Sequence, residues 1–183
     1  GESGTTKRTL ALIESGGERQ ALPAARGAIE AALITRDRFA LVEREQIDRI
    51  LSEQQLSLAD WTTAASRVKA GQVISADVML FLQSARGTNL PLTRLSLTES
   101  RTGILLGSWL AENKAFPAAG EELAGQIEEA AEKTRVPPES RHLLGLLDFR
   151  GEESDLGLED WASVLGELVV TVLARVPSII VLD

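Results

Sequence analysis

Apolar residues in this chain come in short runs separated by polar breaks, and the spacing within the runs changes from segment to segment. Thr9 to Ile13 (Thr-Leu-Ala-Leu-Ile) is closed by Glu14 and the Gly16-Gly17 pair, which predicts a buried strand and then a turn. From about Gln20 to Ile34, Leu22, Ala25, Ile29, Ala32 and Leu33 form a stripe at helical spacing, with Pro23 suited to the first turn. Phe39 to Val42 is the next strand, so the chain opens with a strand-helix-strand unit and a parallel strand pair is expected. From Arg44 to about Leu56, Ile47, Ile50 and Leu51 share one face of a helix. Ser57 to Asp60 is a break in which Asp60 can cap a second helix, about Trp61 to Ala70. Ala64, Ala65 and Val68 are its expected buried side and Gly71 its expected end. Val78 to Leu82 (Val-Met-Leu-Phe-Leu) is apolar on both faces and predicts a central strand.

Beyond Leu82 the period shifts to two. Leu90 and Leu92, then Leu95 and Leu97, alternate with polar residues, and the change of parity predicts a bulge or a late strand start near Pro91. Glu99 to Gly103 is a turn, and Ile104 to Leu110 returns as an antiparallel partner. Pro117 opens a helix whose inner positions are Leu123, Ile127, Ala130 and Ala131. Val136-Pro-Pro-Glu-Ser140 reads as a linker. The segment beyond this linker repeats the beginning of the chain. Leu144 to Asp148 lies over Leu10 to Glu14, a helix marked by Trp161, Leu165, Leu168 and Val172 comes next, and Ile179 to Asp183 lies over Phe39 to Glu43.

The expected fold class is therefore α+β: a mixed β-sheet with flanking helices in the order β-α-β-α-α-β-β-β-α, followed by a second partial β-α-β repeat. Residues 1–8 read as a tag or linker, 9–135 as the main domain, 136–140 as a Pro-rich linker and 141–183 as the opening fragment of a second, similar unit. The fragment is small to bury both faces of its own sheet, so it is expected to extend the first sheet or to pair with another copy.

Charge and chemistry narrow the function classes. A formal net charge of -8 excludes capture of nucleic acid by clustered cations. No run is long and apolar enough to predict a membrane-spanning segment, and the absence of cysteine removes disulfides and thiolate metal sites. His142 is the single histidine, no serine sits in a Gly-x-Ser-x-Gly turn, and Gly16-Gly17 lacks the rest of a phosphate loop. No catalytic residue, metal site or cofactor is expected. Glu14 and Asp148 end equivalent strands, where ligands of open α/β sheets gather, and they mark a candidate ligand cleft. The alternative is a solvated strand end or a helix cap. Trp61, Trp109 and Trp161 read as core or interface anchors.

Arg38-Phe-Ala-Leu-Val-Glu-Arg-Glu-Gln-Ile-Asp-Arg-Ile-Leu-Ser-Glu-Gln-Gln-Leu56, followed by Ser75-Ala-Asp-Val-Met-Leu80, resembles the core of the curli-secretion CsgG-like family. It is also similar to relatives with the TolB N-terminal-type fold, including LpoB-like lipoproteins. Arg94 to Leu106, with its Thr102-Gly103 turn, is similar to the next segment of those proteins. The resemblance implies a CsgG/TolB-N-like domain and a structural clamp or partner contact at Glu43-Arg44, with Glu53 or helix-end carbonyls as acceptors for Arg44. Two departures stand out. Gly71 and Ser75 occupy places where the family commonly has two glycines, and the Leu82 to Leu90 connection is polar and short, with no room for a lipid-facing strand. A pore is therefore not expected. The implied role is a non-enzymatic protein of the periplasm or outer membrane, a lipoprotein in the manner of those relatives, working through protein partners or self-association, a homo-oligomer included. The competing reading is a small-ligand or nucleotide-binding domain using the strand ends near Glu14 and Asp148. A hydrolase would need a nucleophile and base that the composition hardly offers.

Overall fold

Strand β3 (Val78–Ser84) is where the expected two-sided burial is realised. Its Val78, Leu80 and Leu82 enter one core and its Met79 and Phe81 another. The computed structural model describes residues 7–14, 22–53, 64–84, 92–137, 140–145, 158–174, 176 and 179–182. Within them the elements run β1 (Arg8–Glu14), α1 (Leu22–Arg36), β2 (Phe39–Leu41), α2 (Arg44–Glu53), α3 (Ala64–Ile74), β3, β4 (Leu92–Glu99), β5 (Leu105–Glu112), α4 (Phe116–Glu132), β6 (His142–Gly145), α5 (Leu158–Leu173) and β7 (Ile179–Leu182). This is the α+β order read from the pattern. Among the described residues the strands form one mixed sheet in the order β2-β1-β3-β4-β5-β7-β6. Strands β2, β1 and β3 are parallel, and β3-β4-β5 are antiparallel.

Helices α1 and α4 cover one face, where Ile29, Leu33, Phe116 and Ile127 pack on Leu10, Leu80 and Leu97. The predicted α1 stripe is buried as expected, and Arg26 is buried with it. Gly120 lets α4 approach closely, since a Cβ there would lie 3.1 Å from the Ala28 carbonyl oxygen. At the rim Arg36 holds Glu128 through two contacts of 3.0 and 3.1 Å, which raises the Arg36 pKa. Helices α2 and α3 cover the other face with Ile47, Ala70 and Ile74 on Ala11, Ile13, Met79 and Phe81.

Three details differ from the sequence reading. The inner side of α3 is Arg67, Ala70, Gly71 and Ile74, whereas Ala65 is exposed and Val68 only half-buried. Gly71 does not end the helix: it sits inside α3 against Ser100, and a Cβ would lie 2.4 Å from the Ser100 Cβ. Close approach, not helix termination, is what requires a glycine there. The helix ends instead at Ser75, with φ 58°, where the Ala76 N–H donates to the Gly71 carbonyl at 3.2 Å. In the hairpin, β4 starts late at Leu92, but the register shift falls between Leu97 and Thr98. The expectations for Gly16-Gly17, Asp60, Trp61 and Asp148 fall outside the described residues.

Because left-handed backbone disfavours an L side chain by about 1–2 kcal/mol, Ser75→Gly is expected to stabilise the protein by about 1 kcal/mol. An unchanged or lowered urea midpoint would count against that origin of the helix end.

The β6-α5-β7 segment extends the same sheet, with β7 antiparallel to β5 at Leu105↔Val181 and β6 parallel to β7 outside it. Its register is His142↔Ile179, while that of the first parallel pair is Arg8↔Phe39. Helix α5 departs from its expected apolar face. Val170, Leu173 and Ala174 pack on Leu105 and Ile179, and Leu165, Leu168 and Val172 point outward, 52%, 45% and 63% exposed. Among the described residues, those of α5 that pack on the sheet lie near its C-terminal end.

Candidate functional site

The carboxyl ends of the parallel strands hold the residues singled out in the sequence. Glu14 ends β1 and is contacted from both layers of helices. Arg26 of α1 places Nη1 3.6 Å from its Oε1, and Arg44 of α2 places Nη2 3.9 Å from its Oε2. Arg26 Nε also donates to Glu30 at 3.4 Å, and Arg44 Nε lies 3.7 Å from Asp48. Two guanidinium groups therefore stand among three carboxylates, and the strand end is occupied by its own counter-charges. Arg44 does not use Glu53: its ion-pair partners among the described residues are Glu14 and Asp48. Glu53 is exposed at the end of α2. Glu43 contributes its backbone carbonyl, which accepts from the Gln46 and Ile47 N–H groups at 3.1 Å and starts α2.

These contacts can tie both helical layers to β1. They offer no nucleophile–base pair, and among the described residues no three His, Cys, Asp or Glu side chains group as a metal site. Arg44 is half-exposed and its pairs are long, so Arg44→Ala is expected to change unfolding free energy by less than about 1 kcal/mol in urea titration.

A second constellation lies where the β6-α5-β7 segment meets the end of α4, and sequence reasoning missed it. Lys133, in the turn after α4, is buried and donates from Nζ to the Ala174 carbonyl at the C-terminal end of α5. The same ammonium donates to the Ile179 carbonyl at 3.3 Å. Burial pushes its pKa down to about 8, opposed by the Glu129 carboxylate. Arg141, just before β6, donates to the Val136 and Thr134 carbonyls at 2.8 and 3.0 Å, and its Nη1 lies 3.7 Å from buried Glu99. The Thr102 hydroxyl donates to the same Glu99 carboxylate. The signal in the sequence was a cation on each side of the Pro137-Pro138 linker. Beside Lys133 lies a cavity of about 200 Å³ lined by Trp109, Ala130, Lys133 and Ala174, with Gln126 and Glu129 among its polar walls. A larger one, about 680 Å³, lies at the amino end of the sheet beside Asp77 and Ser100. Glu14 lines neither.

A family model described as curli production assembly/transport component CsgG matches residues 25–82. Among solved structures, the LpoB C-terminal domain from Salmonella enterica aligns with a TM-score of 0.44 at 20% identity, over 60% of this chain and 84% of that one. Lipoprotein GNA1162 from Neisseria meningitidis aligns with a TM-score of 0.45 at 14% identity, over 57% and 78%. TolB from Acinetobacter baumannii aligns with a TM-score of 0.44 at 12% identity, over 73% and 30%. No curated protein matches significantly. Among the described residues no helix is long and apolar enough to cross a membrane.

Proposed function

We propose that this chain, CsgG-like over residues 25–82, is a non-enzymatic protein of the bacterial envelope that works by binding other proteins in an assembly or transport role. The observation that carries the binding part is the outward stripe of α5. Leu165, Leu168 and Val172 recur at helical spacing and stay exposed, and contiguous apolar surface of this kind marks interaction sites. The envelope part rests on the family match, which contains the Glu43-Arg44 corner and the Ala76-Asp77 strand entry. The equivalent registers of β1-β2 and β6-β7 support reading the second β-α-β as a repeat of the first. The ligand-cleft alternative needs Glu14 free, and Arg26 and Arg44 compete for that carboxylate.

The test is site-specific photo-crosslinking in intact cells followed by fractionation. A crosslinker at Leu168 is expected to give discrete adducts with proteins of the envelope fraction, and one at exposed Glu122 of α4 is expected to give none. Recovery of the chain from the cytoplasmic fraction, or equal labelling from both positions, would overturn the reading.

A further inference from the structure

We infer that the cavity beside Lys133 is a binding site for a small carboxylate with a flat apolar body, of about the size of benzoate. Three observations carry it, and none depends on the protein-binding role of the outer α5 stripe. The first is a buried cation without a counter-ion. Lys133 is 5% exposed, and its partners among the described residues are the Ala174 and Ile179 carbonyls, which carry no net charge. That strap uses two of the three N–H donors of the ammonium and leaves one. A charge taken out of water is costly unless an opposite charge offsets it, and carbonyl dipoles offset it only in part. With its pKa lowered to about 8 by burial, the amine still holds its proton at pH 7.

The second observation is an unanswered hydroxyl. Ser108 of β5 is 1% exposed and lines the cavity, and its Oγ has no hydrogen-bond partner among the described residues. Buried polar groups are seldom left so. A carboxylate brings two acceptor oxygens, one for the spare N–H and one for the O–H. The third is the lining. Trp109, Ala130 and Ala174 give the cavity of about 200 Å³ apolar walls, and a dry apolar cavity of about 150 Å³ already takes benzene. Gly107 keeps the aromatic wall flat, since a Cβ there would lie 2.4 Å from the Trp109 Cη2. An amine would meet the buried ammonium, and a neutral ring would leave both donors unanswered. Exposed Glu129 also lines the cavity and works against an anion, so its removal should strengthen binding.

Titration of the full chain with benzoate at pH 7, followed by amide and indole NMR shifts, tests this. Benzoate is expected to saturate below about 10 mM, within reach of a ligand of this size, with shifts centred on Gly107, Ser108 and the Trp109 indole. Benzyl alcohol, which keeps the body, and acetate, which keeps the charge, should each bind at least about tenfold more weakly. Lys133→Met is expected to bind benzoate no better than benzyl alcohol. Glu129→Gln should tighten benzoate about twofold and leave benzyl alcohol unchanged. No saturation by about 10 mM, or equal affinity for benzoate and benzyl alcohol in the wild type, would overturn the proposal. The wild-type comparison and the exposed Glu129→Gln change give the answer even where Lys133→Met fails to fold.

Discussion

Replacing Arg141 with Met is expected to destabilise the protein by about 3–5 kcal/mol, the range for removing one partner of a buried ion pair. Both side chains are only 7% exposed, so the Glu99 carboxylate would be left in the interior with the Thr102 hydroxyl as its remaining partner among the described residues. Two carbonyls, of Thr134 and Val136, would lose their donor in the same step. The comparison that isolates the charge is Glu99→Gln. Combined with Arg141→Met it leaves no stranded anion, and the pair of changes should cost less than the sum of the two single ones. Urea unfolding of the four proteins measures this. A loss under about 1 kcal/mol for Arg141→Met would show that the contact behaves as a surface pair.

The second large effect is one of pH and comes from Lys133. Its folded pKa is about 8, against about 10.4 for a lysine in an unfolded chain. Between these values the unfolded chain holds a proton that the folded chain has released, so unfolding takes up a proton and stability rises with pH. Below pH 8 both states are protonated and the desolvation penalty is fully present. Above about pH 10.4 both are neutral and it is gone. The ceiling is about 3 kcal/mol, from about 1.4 kcal/mol per pKa unit. A neutral amine keeps two N–H donors, enough for the Ala174 and Ile179 carbonyls, so deprotonation does not break the strap. Unfolding free energies at pH 7 and pH 10 should therefore diverge between wild type and Lys133→Met, with the wild type gaining. A constant difference would refute the shift.

Periodicity made α1 and α4 legible because each has one consistent face, whereas the expected buried side of α3 was not the observed one. The α1 stripe and the α4 positions Leu123, Ile127, Ala130 and Ala131 are buried as their spacing predicts. Where the pattern misled, contact geometry was the reason. Gly71 reads as a helix end, but a neighbouring turn at Ser100 excludes any Cβ there. Helix α5 is apolar on more than one side, and periodicity does not say which side meets the sheet. At the candidate site, Glu14 and Arg44 were visible as a strand end and a strand-to-helix corner. Their pairing was not, because they lie 30 positions apart and meet only when α2 returns over β1. Arg26 could have been suspected, since a charged residue inside an apolar stripe calls for a partner.

By itself, the sequence determined the element order, the two-faced central strand β3, the CsgG-like segment and the further β-α-β after α4. These depend on local period and on short apolar runs, which a chain carries without reference to its neighbours. Only the tertiary structure decided that the β6-α5-β7 segment lies against β5, that Lys133 and Arg141 hold it there, and that the outer stripe of α5 stays uncovered. Those outcomes turn on which surfaces meet across long sequence separations. A cation that reaches a carbonyl 41 or 46 positions away leaves no periodic mark in the sequence.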